Sequence, residues 1–167
     1  PVELILVDHC SMDGTREFLL NLDTSTGSES GEVKVFLHER NLGKGAAIRT
    51  AMTHATGTMV LVQDADLEYD PQDYGALLKP ILEGHADVVF GNRFHGGAHR
   101  VLYFWHAVGN RLLTTLCNMV TNLNLTDMEV GYKVLRTEIL KQIQLRSSRF
   151  GFEPEITVKV AKLGCRI

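Results

Sequence analysis

No pair of cysteines in this chain is spaced to chelate a metal or to bridge locally. There are three, Cys10, Cys117 and Cys165, an odd number without a Cys-x-x-Cys. That argues against a disulfide framework or a cysteine zinc site and fits a reducing compartment, the cytoplasm. The seven histidines are scattered. Only His95 and His99 have ligand-like spacing, in a glycine-rich stretch without a cysteine partner, and no metal centre is read there. Positive charge is not in excess either: the formal net charge is −3. No bulk field favours nucleic acid, so an anionic ligand must be held by local groups. No signal peptide is visible. The longest apolar region, 101–125, is interrupted by His106, Asn110, Arg111 and Asn118 and is too polar to cross a bilayer. A Walker A loop, internal repeats and low-complexity segments are also missing.

What is present suits a single folded domain over residues 1–167. Of the 167 residues, 44% are hydrophobic and 22% charged, enough apolar surface to offset chain entropy. The chain opens inside a strand-like run, Val2–Val7, and stops abruptly at Gly164-Cys165-Arg166-Ile167. A fragment of a longer protein, cut at both ends, is the expectation.

Strand and helix patterns alternate. Apolar runs at 2–7, 33–37, 59–62 and 86–90 read as buried strands. Between them lie helical segments at 16–22, with Thr15 as cap, and at 44–55, ended by Thr56-Gly57. A third runs from Asp70-Pro71 to about Glu83. Residues 23–31 read as a loop. A parallel α/β sheet with right-handed crossovers follows, with ligands bound beyond the carboxyl ends of its strands. Asp8, Asp64 and Arg93 all fall at or just past such ends. Beyond them, 104–123 repeats apolar residues at helical spacing, 132–135 reads as a further strand and 153–163 as a final helix. The 104–123 stripe has two readings: a core helix packed on the sheet, or an interfacial helix guiding a lipid at a membrane surface.

Asp64 and Asp66, two apart at a strand end, are expected to point to one side. Two carboxylates that close repel unless a cation sits between them, and Mg²⁺ or Mn²⁺ suits hard oxygen ligands and a bound diphosphate. Glu68 is the candidate third ligand. The plain alternative is a solvated turn. Asn41-Leu42-Gly43-Lys44-Gly45 precedes an alanine-rich helix, where glycines admit close approach, the helix start favours an anion and Lys44 adds charge. The alternative is a turn and helix start. Asp8, before the turn His9–Thr15, suits a nucleoside or merely caps. Arg93 suits a phosphate or a surface ion pair. Asp127 is a catalytic acid or a cap, and Arg149–Glu155 a site loop or a helix start with Pro154 in its first turn.

In order along the chain stand Asn41-x-Gly-Lys-Gly, Gln63-Asp-Ala-Asp-Leu-Glu-Tyr-Asp, Gly91-Asn-Arg-Phe, Asn124-Leu-Thr-Asp-Met-Glu and Arg149-Phe-Gly-Phe-Glu-Pro-Glu. The ordered set resembles the family 2 glycosyltransferases, specifically the branch of dolichyl-phosphate mannose synthases and bacterial polyprenyl-phosphate glycosyltransferases. The resemblance implies a GT-A fold, a Rossmann-like sandwich with a mostly parallel sheet flanked by helices. It also implies a nucleotide-sugar donor, UDP- or GDP-linked, and a divalent metal, Mg²⁺ or Mn²⁺. It matches Asp64, Asp66 and Glu68 to the metal and diphosphate motif, Asp8 to the nucleoside contact and Lys44 to the donor-side loop. Arg93, Arg111 and Thr114 match acceptor-phosphate contacts, and Asp127 a site acid. The partners implied are the donor, a lipid-phosphate acceptor and a membrane surface at its cytoplasmic face. Two departures stand out. Asp8-His9-Cys10-Ser11 replaces the usual Asp-Asp-Gly-Ser, and Val130-Gly131 replaces Thr-Cys.

The expected reaction is an inverting single displacement, in which Asp127 ranks as an orienting acid before a true base. The rivals are a non-catalytic nucleotide-sugar-binding module, a nucleotidyltransferase, and a family 2 enzyme with a saccharide acceptor.

Overall fold

The computed structural model describes residues 2–22, 31–66, 69–93, 103–149 and 151–167. Their contacts divide the chain into two compact units, 1–60 with 144–152, and 61–143 with 153–167. Glu68, His95, His99 and most of the loop at 23–31 lie outside the described residues.

In the first unit, β1 (Glu3–Asp8) and β2 (Glu32–Leu37) pair in parallel, with Glu3 opposite Glu32 and Asp8 opposite Leu37. Helix α1 (Thr15–Leu20) lies between them in sequence and α2 (Lys44–His54) follows. Thr15 is not the cap of α1. Gly14 takes that position at φ 91°, and Asp13 Oδ1 accepts the Thr15 N–H at 3.2 Å. Thr15 falls inside the first turn, and Asp13 forms a local turn by accepting the amide two residues on.

The second unit is built on a three-stranded sheet in the order β3-β5-β4, with β3 at Met59–Val62, β4 at Val88–Phe90 and β5 at Lys133–Arg136. Asp70 accepts the Gln72 N–H at 2.9 Å and opens a short 3₁₀ turn, 71–73, into α3 (Tyr74–Leu82), as the Asp-Pro signal predicts. Helices α4 (Phe104–Thr121), α5 (Thr137–Gln142) and α6 (Phe152–Lys162) complete the chain. The core of this unit is Ile81, Val88, Val130, Val134, Leu135, Ile156 and Val160, each at most 1% exposed. Burying each such side chain contributes about 1.5–3 kcal/mol.

Within the mostly parallel architecture expected, β4 and β5 pair antiparallel, with Phe90 opposite Lys133 and Val88 opposite Leu135. The excursion from 91 to 132 leaves and re-enters the sheet at one end, so Gly91 N donates to Tyr132 O at 2.9 Å. That return brings residues just past β4 beside those just before β5.

One expectation is corrected: the core reading of α4 fails. Phe104, Trp105, Leu112, Leu116, Met119 and Val120 are all exposed, and the buried residues are Thr114 and Cys117. The inward side is held by hydrogen bonds instead. Asn118 Nδ2 donates to Leu125 O at 2.7 Å, and its Oδ1 accepts the Leu125 N–H at 3.0 Å. Asn110 and Thr114 engage the segment after Leu125 in the same way. Among the described residues, no helix is long and apolar enough to cross a membrane.

Candidate functional site

Asp8 ends β1 and is buried, its side chain 2% exposed. Its oxygens accept the N–H of Cys10 at 3.1 Å and of Ser11 at 3.0 Å, and Arg16 Nη1 lies 3.5 Å away. Burial alone would raise this carboxyl. The hydrogen bonds from Ser11 and Cys10, with the Arg16 charge, outweigh it and hold the pKa below the ordinary value. The carboxylate therefore organises its own turn, and the structure turns its oxygens toward backbone amides.

Cys10 sits in that turn at φ 79°, a left-handed conformation in which a side chain costs roughly 1–2 kcal/mol. Cys10→Gly is accordingly expected to stabilise the protein by about 1 kcal/mol after the extra entropy of unfolded glycine is counted, raising the thermal midpoint by roughly 2–4 °C. A melting curve checks it; an unchanged or lowered midpoint contradicts the strain.

The Asn41–Gly45 loop makes a close approach, but to this chain. A Cβ on Gly43 or Gly45 would collide with the backbone oxygens of Ser148 and Ser147 respectively. Ala46 N donates to Ser148 O at 3.3 Å, and Arg49 donates to Ser147 O and, at 3.1 Å, to Ser148 Oγ. The glycines thus seat the 147–148 segment against the start of α2. Lys44, the first residue of that helix, is half-buried.

In the second unit, β3 ends at Val62, so Asp64 and Asp66 lie in the bend beyond it. The alternation of a strand no longer orients them: Asp64 is half-buried and Asp66 exposed. Tyr69 follows, its hydroxyl accepting the Gly131 N–H at 2.7 Å, and burial pushes its pKa up.

Three residues past β4 is Arg93. Its Nε donates to Asp127 Oδ2 at 2.8 Å and its Nη2 to Asp127 Oδ1 at 2.9 Å. The aspartate side chain is fully buried and the arginine 22% exposed. Asn110 Nδ2 adds a third donor to Asp127 Oδ1 at 2.9 Å. Thr114 Oγ1 donates to Asn110 Oδ1 at 3.2 Å and accepts the Met128 N–H at 3.1 Å. The antiparallel return of β5 therefore assembles a bidentate ion pair whose anion is fully buried and whose cation is partly exposed.

The structure brings Arg93, Asp127 and Thr114 together and leaves Arg111 exposed on α4. Thr114 is buried and spends its hydroxyl on Asn110 and Met128, which makes it part of the scaffold beneath the pair. Asn110 is the member that sequence reasoning missed. Asn110, Thr114 and Asn118 recur every four residues along α4, a polar stripe that marks the packed side once the helix is placed.

No cluster of three His, Cys, Asp or Glu side chains able to hold a metal occurs among the described residues. Asp64 and Asp66 nevertheless suit Mg²⁺ or Mn²⁺, since such ions are commonly bound by one or two carboxylates completed by substrate phosphates and water.

The model of the family described as "Glycosyl transferase family 2" matches residues 1–144. The chain belongs to glycosyl transferase family 2. Among its curated relatives is Glycosyltransferase AglJ of Haloferax volcanii, 30% identical over 98% of this chain and 50% of that one. Another is the dodecaprenyl-phosphate galacturonate synthase of Rhizobium johnstonii, 30% identical over 91% of this chain and 43% of that one. The chain spans about half the length of these relatives. Glucosyl-3-phosphoglycerate synthase from Mycobacterium tuberculosis, solved with Mn²⁺, UDP-glucose and phosphoglyceric acid, superposes with a TM-score of 0.69. It is 18% identical, over 96% of this chain and 54% of that one. The fold is the α/β GT-A fold of such transferases.

Proposed function

We propose that this family 2 domain is the catalytic part of an inverting glycosyltransferase. It moves a hexose from a UDP- or GDP-sugar to a polyprenyl or dolichyl phosphate, at the cytoplasmic face of a membrane. The observation that carries the acceptor assignment is the Arg93–Asp127 pair. A buried, doubly held carboxylate fixes a partly exposed arginine just past a strand end, a residue type and place that suit a phosphate. The name of the Rhizobium relative points the same way. So does α4, which shares Asn110 with the pair and turns an apolar side outward, a face suited to a lipid surface.

A phosphate oxygen is already anionic near neutral pH, so the attack on the sugar C1 needs no strong base. The C1–oxygen bond to the diphosphate breaks as the phosphate oxygen bonds to the opposite side of C1, and the nucleoside diphosphate leaves. Asp127, with both oxygens committed to Arg93 and Asn110, orients the acceptor cation and takes no proton. Asp64 and Asp66 hold the divalent cation, with Glu68 as the third candidate ligand. When bound, that cation neutralises the charge growing on the diphosphate. Asp8 and Lys44 serve the donor side. For Asp8 its buried carboxylate favours an indirect role, through the amides of the turn it fixes. Arg111, exposed on the helix, is the further candidate for the acceptor phosphate.

The test is a panel of radiolabelled UDP- and GDP-sugars with Mn²⁺ and a short polyprenyl phosphate. Label is expected in the organic phase from one donor only. Label entering soluble saccharide acceptors instead would reassign the acceptor.

A further inference from the structure

Gly131 has no conformational need to be glycine, because its φ is not among the positive ones. Its need is for space. A Cβ there would run into Asp64 Oδ2 and lie 2.8 Å from the Tyr69 hydroxyl and 3.0 Å from its ring carbon Cζ. The bare Cα is thus the surface against which the Asp64 carboxylate rests. The Gly131 N–H is tied to the same tyrosine oxygen at 2.7 Å, and the Tyr69 ring leans on Tyr132 with centroids 4.5 Å apart.

The peptide carrying Gly131 is in turn fixed from inside the fold. Lys133 is fully buried, and its ammonium donates to Met128 O at 3.2 Å and to Val130 O while lying 5.0 Å from the centre of the Phe90 ring. Charge-assisted bonds to two carbonyls of one turn, made away from the surface, hold that turn tightly. Asp127 opens the turn and Gly131 closes it, so one buried cation anchors the backbone under both acids.

We infer that Gly131 and Tyr69, on a turn clamped by Lys133, are positioning residues that set where the Asp64 carboxylate meets the divalent cation. The inference rests on the assignment of Asp64 as a metal ligand. Residues that orient a ligand without touching the metal typically govern about 10- to 100-fold in metal affinity. Gly131→Ala, which displaces the carboxylate, is expected to weaken Mn²⁺ binding at least about tenfold on that scale. Tyr69→Phe, which keeps the ring and removes the oxygen, is expected to weaken it by a few-fold.

The experiment is Mn²⁺ titration followed by electron paramagnetic resonance in the presence of UDP or GDP, with no acceptor and no turnover. Wild type, Gly131→Ala, Tyr69→Phe and Asp64→Ala are compared, with thermal midpoints as the check on folding. Weakening in all three variants, with midpoints close to wild type, supports the inference. Wild-type affinity in Gly131→Ala and Tyr69→Phe, alongside a loss in Asp64→Ala, overturns the positioning role and leaves the metal assignment standing. Wild-type affinity in Asp64→Ala overturns both. Should Gly131→Ala not fold, Tyr69→Phe decides by the same criterion.

Discussion

Replacing Arg93 with glutamine is expected to destabilise the protein by about 3–5 kcal/mol, because it leaves the Asp127 carboxylate buried without its cation. For a chain of this size that is a fall in thermal midpoint of roughly 10 °C or more. Acceptor use should fall with it, as a rise in the KM for polyprenyl phosphate with little change in the KM for the donor. Stability and function can be separated at this pair. Converting both partners, Arg93→Met with Asp127→Leu, removes the unpaired charge, and apolar replacements of a buried pair are often neutral or better. The double variant is expected to recover much of the lost midpoint while acceptor use stays low. Recovery of transfer along with stability would show that the pair serves only the fold.

Asp64→Ala is expected to lower turnover by about a thousandfold, the scale seen when a principal source of charge stabilisation at a leaving group is removed. Its cost in stability should be small, about 1 kcal/mol or less, since the side chain is half-buried in a bend past β3. Asp66→Ala, exposed in the same bend, is expected to have the smaller effect of the two. Steady-state rates over a Mn²⁺ series check both. Full turnover by Asp64→Ala with metal present would remove Asp64 from the site.

Much of this architecture is legible in the sequence because local physics sets it. Apolar runs bounded by Asp and Gly place β1, β2 and β3 within a residue or two, and Asp70-Pro71 predicts the start of the third helical segment with its cap. What escapes is long-range. Periodicity shows that α4 has an apolar face. It does not show that Asn110, Thr114 and Asn118 dock the opposite face, because hydrogen-bonded packing leaves no hydrophobic signature. The alternation of strands and helices does not reveal that β5 re-enters the sheet antiparallel to β4, although that reversal puts Asp127 beside Arg93. The glycines at 43 and 45 announce a close approach, but their partner is Ser147–Ser148, about a hundred positions away. Helix α5 leaves no separate signal in the sequence, being six residues long and continuous with β5.

The most direct test of the central claim follows nucleoside diphosphate release by the protein, with and without polyprenyl phosphate, alongside label entering the lipid. Release should be strongly stimulated by the lipid phosphate and matched one for one by labelled lipid. It should stop with EDTA and return with Mn²⁺. Release of pyrophosphate, or of nucleoside diphosphate at one rate with or without the lipid and no labelled lipid, would contradict glycosyl transfer to a lipid phosphate.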